Sequence, residues 1–284
     1  MQRYSCISFL FVSFFALTVV AFADNEECGL INADQFRNSE NVTQIDEFPW
    51  MARLIYKSTI TSERVLRDCL AVLISPQHLL ATAYCSEYSE VPYEVVLGDW
   101  NTLTYFTDCD EITGKCSTPL LIEIDKVINY PFYSKLRNMH DIIVIRLTKA
   151  VTLSDYIRPI CLPSKDIRDK QFESKQLAVT GWPPEVDGQK QKSAVFIYNQ
   201  HDCRLKYGSI KNITDSHICG MAADERDKYM SGSALMDVKG NETHPRSVYL
   251  LGLLAHGPRG HLPTYPDIYM RIDQYLDWIK ENMF

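Results

Sequence analysis

The chain has 284 residues, 46% of them hydrophobic and 23% charged, with 12 Gly, 13 Pro and 9 Cys, a balance that excludes disorder, collagen and a coiled coil. Its formal net charge of −7 argues against nucleic acid as the main partner.

Residues 1–23 read as a secretory signal peptide: Arg3 in a short basic head, an apolar run from Ile7 to Phe22, and the small-x-small cleavage site Ala21-Phe22-Ala23. Removing that stretch takes away Arg3 and Cys6 and leaves eight cysteines, an even number suited to an oxidising, extracellular compartment. No later stretch reaches the roughly 18 apolar residues of a membrane span. Residues 24–46 then form an N-terminal linker or vestigial propeptide, and 47–284 a single folded unit. Asn41, Asn212 and Asn241 each begin an N-glycosylation triplet, which fits a secreted protein.

Along the chain, short β-branched and aromatic runs between turn residues predict strands at 51–56, 69–75, 95–97, 121–128, 142–147, 177–181, 193–198 and 248–254. Helical periodicity is clear only at the end, where Ile272, Tyr275, Leu276 and Ile279 share one face and Asp273 suits a helix N-terminus. These signals predict an all-β, antiparallel protein closed by a C-terminal helix. No metal-ligand spacing is visible among His78, His201, His217, His244 and His261. No cofactor is expected.

Several segments, in order, resemble the trypsin/chymotrypsin-like serine proteases, and in particular the protease domains of insect clip-type enzymes. Glu47-Phe48-Pro49-Trp50-Met51 resembles the start of the first strand, and Leu73-Ile74-Ser75 with Leu79-Leu80-Ala81-Thr82-Ala83-Tyr84-Cys85 resembles "LIS…LTAAHC". Asp141 to Leu147 resembles "DIALLRL" and is followed by Arg158-Pro159-Ile160-Cys161-Leu162-Pro163, Thr180-Gly181-Trp182, and Tyr265 to Ile272 with Trp278-Ile279. The resemblance covers nearly all of the mature chain and implies two packed six-stranded antiparallel β-barrels with a site in the cleft between them.

That chemistry needs a Ser nucleophile, a His base, an Asp that orients the His, and backbone N–H groups for the oxyanion. By resemblance Asp141 and Ser231, the latter in Ser231-Gly232-Ser233-Ala234-Leu235-Met236, stand at two triad positions, but Tyr84 stands where the His belongs. A phenol titrating near 10 stays protonated at neutral pH and cannot serve as the base. His140 is expected to point away from Asp141, its neighbour, and His256 resembles an aromatic of the far cleft wall. The oxyanion positions are Tyr229 and Ser231, with Tyr229 in place of a Gly, and Met230 replaces the Asp that would pair with a newly cut N-terminus. The segment matching that N-terminus, Arg37-Asn38-Ser39-Glu40 after Phe36, lacks both the cleavage site and the apolar start. Ala255 replaces the Ser that supports the Asp, and Glu225 occupies the specificity-pocket position. Without the resemblance, Asp141 also reads as a buried Asp satisfied by local N–H groups, Ser231 as a turn Ser, and Glu225 as a solvated loop charge.

Eight cysteines allow 105 pairings. The resemblance implies Cys28–Cys161, Cys69–Cys85, Cys109–Cys116 and Cys203–Cys219, and because only four residues separate Cys28 from the predicted cleavage, no clip domain is expected ahead of it. The chain is therefore expected to be a secreted, catalytically inactive protease homologue that binds extracellular proteases, zymogens or inhibitors, with a link to innate immunity or melanisation. Two alternatives remain: an active endopeptidase with an unorthodox base, and a carbohydrate- or microbe-binding module using Tyr84, Tyr88, Tyr93 and Tyr105 as stacking platforms.

Overall fold

The structure is a computed structural model and describes residues 28–283 except 59, 62, 88–90, 105, 164–175, 184–187, 224–228, 240–245 and 257–264. The signal segment, Glu225, Asn241, Tyr88 and Tyr105 lie outside the described residues, as does the side chain of His256.

The first barrel is closed by six strands in the order β2 (Met51–Lys57), β3 (Arg64–Ser75), β4 (His78–Ala81), β9 (Ile143–Leu147), β8 (Leu120–Asn129) and β5 (Pro92–Leu97), with β5 returning to β2. The second runs β14 (Arg246–His256), β13 (Ala234–Lys239), β10 (Gln176–Gly181), β11 (Gln191–Ile197), β12 (His217–Ala222) and β15 (Asp267–Arg271), and closes through a β14–β15 pairing. Every one of these pairings is antiparallel. Outside the barrels, β1 (Leu30–Ile31) adds to the edge of β14, and β6 (Asp108–Cys109) with β7 (Cys116–Ser117) forms a small hairpin. Among the described residues the α-helices are α1 (Ala33–Arg37), α2 (Gln200–Tyr207) and α3 (Leu276–Glu281).

Buried Val, Ile, Leu and Ala fill the strands because barrel closure leaves each inner face no access to water. The strand at β4 escapes a periodicity reading because all four of its residues are buried, so it shows no alternation. The predicted C-terminal helix opens with Asp273 in its first turn, as expected. Ile272–Tyr275 is a 3-10 turn, and Asp273 is drawn back to Arg271, whose Nε and a terminal nitrogen lie 2.8 and 2.9 Å from its two oxygens, so it makes no cap.

Trp50 enters β2 fully buried and donates its indole N–H to Met236 Sδ on β13 at 3.3 Å, which joins the two barrels. Trp182, just after β10, donates to the Trp100 carbonyl of the first barrel at 3.1 Å. Disulfides join Cys28–Cys161, Cys69–Cys85, Cys109–Cys116 and Cys203–Cys219. Cys28–Cys161 ties the N-terminal segment to the body across 133 residues.

Candidate functional site

The cleft residues come from the ends of strands of both barrels. After β4 the chain makes a 3-10 turn at Ala83–Ser86 that carries Tyr84, and Asp141 stands two residues before β9. Asp141 is 2% exposed. Its Oδ1 accepts the Tyr84 backbone N–H at 2.8 Å, with the Ala83 N–H also turned toward the carboxylate. Its Oδ2 is buried and accepts no hydrogen bond among the described residues. Burial, and then the nearby Glu87 carboxylate, outweigh the two amides and Lys211, and the Asp141 carboxyl is pushed up to about 7.

Ala255, which is buried at the end of β14, offers no hydroxyl, and the Tyr84 side chain offers no imidazole N–H. Tyr84 is half-buried against the core, with the Lys135 ammonium 5.8 Å from its ring centre, and Lys135 is itself paired with Glu87. Tyr133 lies in the same corner, and enclosure together with Asp141 and Glu87 raises its phenol well above the ordinary value.

His140 does turn away from Asp141, but not by strand alternation. It precedes β9 in a left-handed conformation, φ 56°, stacks on Tyr130 at 5.0 Å, and meets the Tyr275 hydroxyl through Nδ1 at 3.0 Å. The histidine His217 is also committed, at 3.0 Å from Thr214 Oγ1 and from the Asn138 carbonyl. His78 sits against Ser75 Oγ at 2.9 Å. Among the described residues no group of His, Cys, Asp and Glu could hold a metal.

Ser231 opens the turn before β13. Its Oγ lies 2.9 Å from Thr82 Oγ1 and 3.4 Å from the Leu254 carbonyl. Gly232 follows with φ 90°, and a Cβ there would fall 2.0 Å from the Leu70 carbonyl oxygen, so only glycine fits. Among the described non-glycine residues, Phe48, Asn138 and His140 have positive φ, and Tyr229 follows a stretch outside the described residues. Its ring packs on the second barrel's core and lies 3.4 Å from the place of a Cβ on Gly181. Met230 is partly buried and packs against the main core.

The segment 37–47 is fixed in place without any free amine. Asn32 and Gln35 form a capping box at α1, Val42 bridges to Gln191, and Lys192 Nζ reaches Glu47 at 2.6 Å and the Asn38 carbonyl at 2.7 Å. Asn41 and Asn212 are both exposed. Tyr93, one of the candidate platforms, donates to Glu123 at 3.2 Å and has Lys57 5.3 Å from its ring centre.

Sequence reasoning overlooked Thr82. The signal was available in the run Leu80 to Cys85, in which Thr82 takes the place of an Ala of "LTAAHC", but its meaning depends on a contact with a residue 149 positions away.

Comparison with known proteins fits this architecture. The Trypsin family profile matches residues 38–279. A "CLIP domain-containing serine protease HP8" of Bombyx mori is 33% identical over 273 residues, covering 90% of this chain and 71% of that protein. The "Spaetzle-processing enzyme" of Drosophila melanogaster is 30% identical over 281 residues, with 91% and 69% covered. The crystal structure of the Drosophila Grass clip serine protease of the Toll pathway superposes with a TM-score of 0.75 at 23% identity, over 92% of this chain and 75% of that one. With two closed barrels, a matching profile over most of its length and relatives at this level of identity, the chain belongs to the trypsin family.

Proposed function

We propose that this chain is a secreted, non-catalytic trypsin-family protein that acts by binding proteases, zymogens or protease inhibitors of an extracellular cascade. One observation carries the reading: among the described hydrogen bonds of Asp141 and Ser231 there is none to an imidazole. Tyr84 occupies the imidazole's position, Asp141 Oδ2 is left without a donor among the described residues, and the Ser231 hydroxyl bonds to Thr82 instead. A serine hydroxyl without a base is a poor nucleophile at neutral pH. Tyr229 and Met230 in the turn before Ser231 support the same reading, because the oxyanion donors depend on the conformation of that turn.

The cascade assignment rests on relatives named for such steps, the "Spaetzle-processing enzyme" and "Phenoloxidase-activating factor 1" of Holotrichia diomphalia, the latter 30% identical over 275 residues. Secretion rests on the leader-like residues 1–23 and on the disulfides. Among the described residues no helix is long and apolar enough to cross a membrane.

The test is turnover of a broad peptide-substrate panel together with labelling by a serine-reactive phosphonate, before and after limited trypsin treatment. Neither signal is expected under either condition. Labelling at Ser231 would mean that a base acts there, and the reading would fall.

A further inference from the structure

The reading above leaves Ser231 without a base, but it does not account for what the hydroxyl touches. We infer that Thr82 captures the Ser231 hydroxyl and makes it an inter-barrel latch, so that Ser231 is held silent by a neighbour as well as by the missing imidazole. This rests on the non-catalytic reading above and deepens it.

Four observations converge on the latch. Thr82 is fully buried, directly after β4 of the first barrel, and its Oγ1 lies 2.9 Å from Ser231 Oγ. Ser231 is part-buried but Thr82 is not open to water, so breaking the pair leaves the buried Thr82 hydroxyl with only the weak Cys85 sulfur contact. The same Thr82 oxygen lies 3.2 Å from Cys85 Sγ, half of the Cys69–Cys85 disulfide, while Cys69 bridges to Ser231 through the main chain. The Leu70 N–H donates to the Ser231 carbonyl at 2.8 Å, and Gly232 presses on Leu70 with no room for a side chain. Main chain and side chain of Ser231 are thus both bound to the first barrel, although Ser231 belongs to the second. Thr82 acts here as a positioning residue, through Ser231.

Thr82→Val keeps the shape and removes the hydroxyl, Thr82→Ser keeps the hydroxyl, and Ser231→Ala removes the other partner. Thr82→Val and Ser231→Ala are each expected to lower Tm by about 3 °C, with the double variant no lower than either single one. Thr82→Ser should restore most of the loss. Thr82→Ala carries the same cycle if Val is not tolerated. A second readout uses Ser231→Cys: its thiol should be alkylated by iodoacetamide at least about fivefold faster when combined with Thr82→Val than alone, and slowly again when combined with Thr82→Ser. Additive Tm losses, or alkylation rates that Thr82→Val leaves unchanged, overturn the latch and leave the non-catalytic reading standing. Phosphonate labelling of the wild-type chain overturns the non-catalytic reading and the latch with it.

Discussion

Asp141 in the cleft and Glu47 beneath the N-terminal segment are equally buried, each 2% exposed, yet they meet opposite surroundings. Glu47 has a partner for each oxygen: Lys192 Nζ at 2.6 Å on Oε1, and the Asn38 amide at 2.9 Å and Gln44 N–H at 3.0 Å on Oε2. Around it Lys190 is buried among Glu47, Asp99, Asp46 and Asp108, and burial lowers its ammonium to about 8, so it stays charged at neutral pH. Asp141 has a partner for one oxygen and none among the described residues for the other. In the first region Glu47 itself is fully partnered, although nearby Asp46 and Asp99 each keep one buried oxygen without a hydrogen bond among the described residues. In the second the acid bears the cost of burial almost alone.

The largest effect should come from breaking the first region. Glu47→Ala leaves Lys192 and Lys190 without their nearest carboxylate and should cost about 3–5 kcal/mol, a fall in Tm of about 10 °C by circular dichroism. A loss under about 1 kcal/mol would mean that the two regions differ less than their geometry implies. Asp141 should behave in the opposite way. With its carboxyl raised to about 7, the folded chain binds more protons than the unfolded chain between the ordinary value of about 4 and 7, so stability falls as pH rises through that window. Asp141→Asn should remove up to about 1.4 kcal/mol per pH unit of that slope and leave the chain as stable as wild type, or more so, at pH 8. The measurement is the difference in unfolding free energy between the two proteins from pH 4 to pH 8, and a difference that stays flat would show that Asp141 remains ionised throughout. Asp267, also raised to about 7 by burial, contributes a parallel slope that cancels in this difference.

The smallest effect should follow from offering Asp141 a second donor. Tyr84→His offers an imidazole to Oδ2 and should bring the carboxyl down toward the ordinary range, seen as a shallower pH slope. Peptide turnover should stay at background, because Tyr229, Met230 and Thr82 still shape the Ser231 turn. Measurable hydrolysis by this variant would show that Tyr229, Met230 and Thr82 do not prevent turnover.

The sequence made the barrels legible wherever a strand alternates or carries a family-like run. The stretches at β2, β8 and β11 were found with ends misplaced by one or two residues, since terminal residues pair without a distinctive side chain. β3 begins at Arg64, five residues before the predicted start, in a stretch where charged residues interrupt the pattern. β12, His217–Ala222, and α2, Gln200–Tyr207, gave no periodic signal: the one is short and includes Gly220, the other has few apolar residues. At the site, the identities Tyr84, Asp141, Ser231 and Tyr229 could be read from short motifs, because each motif is local. The orphaned Oδ2, the stacking of His140 on Tyr130 and the Thr82–Ser231 contact could not, because each depends on which distant side chains share a space.

The Cys28–Cys161 crosslink has a consequence for any encounter with a processing enzyme. Arg37, at the end of α1, is exposed and lies inside the 133-residue span that this bond encloses. A chain cut there would stay one covalent molecule: its leading piece, carrying β1 paired to β14, remains bonded to Cys161. The cut would show on a gel only after reduction, and in solution the clipped and intact forms would sediment alike.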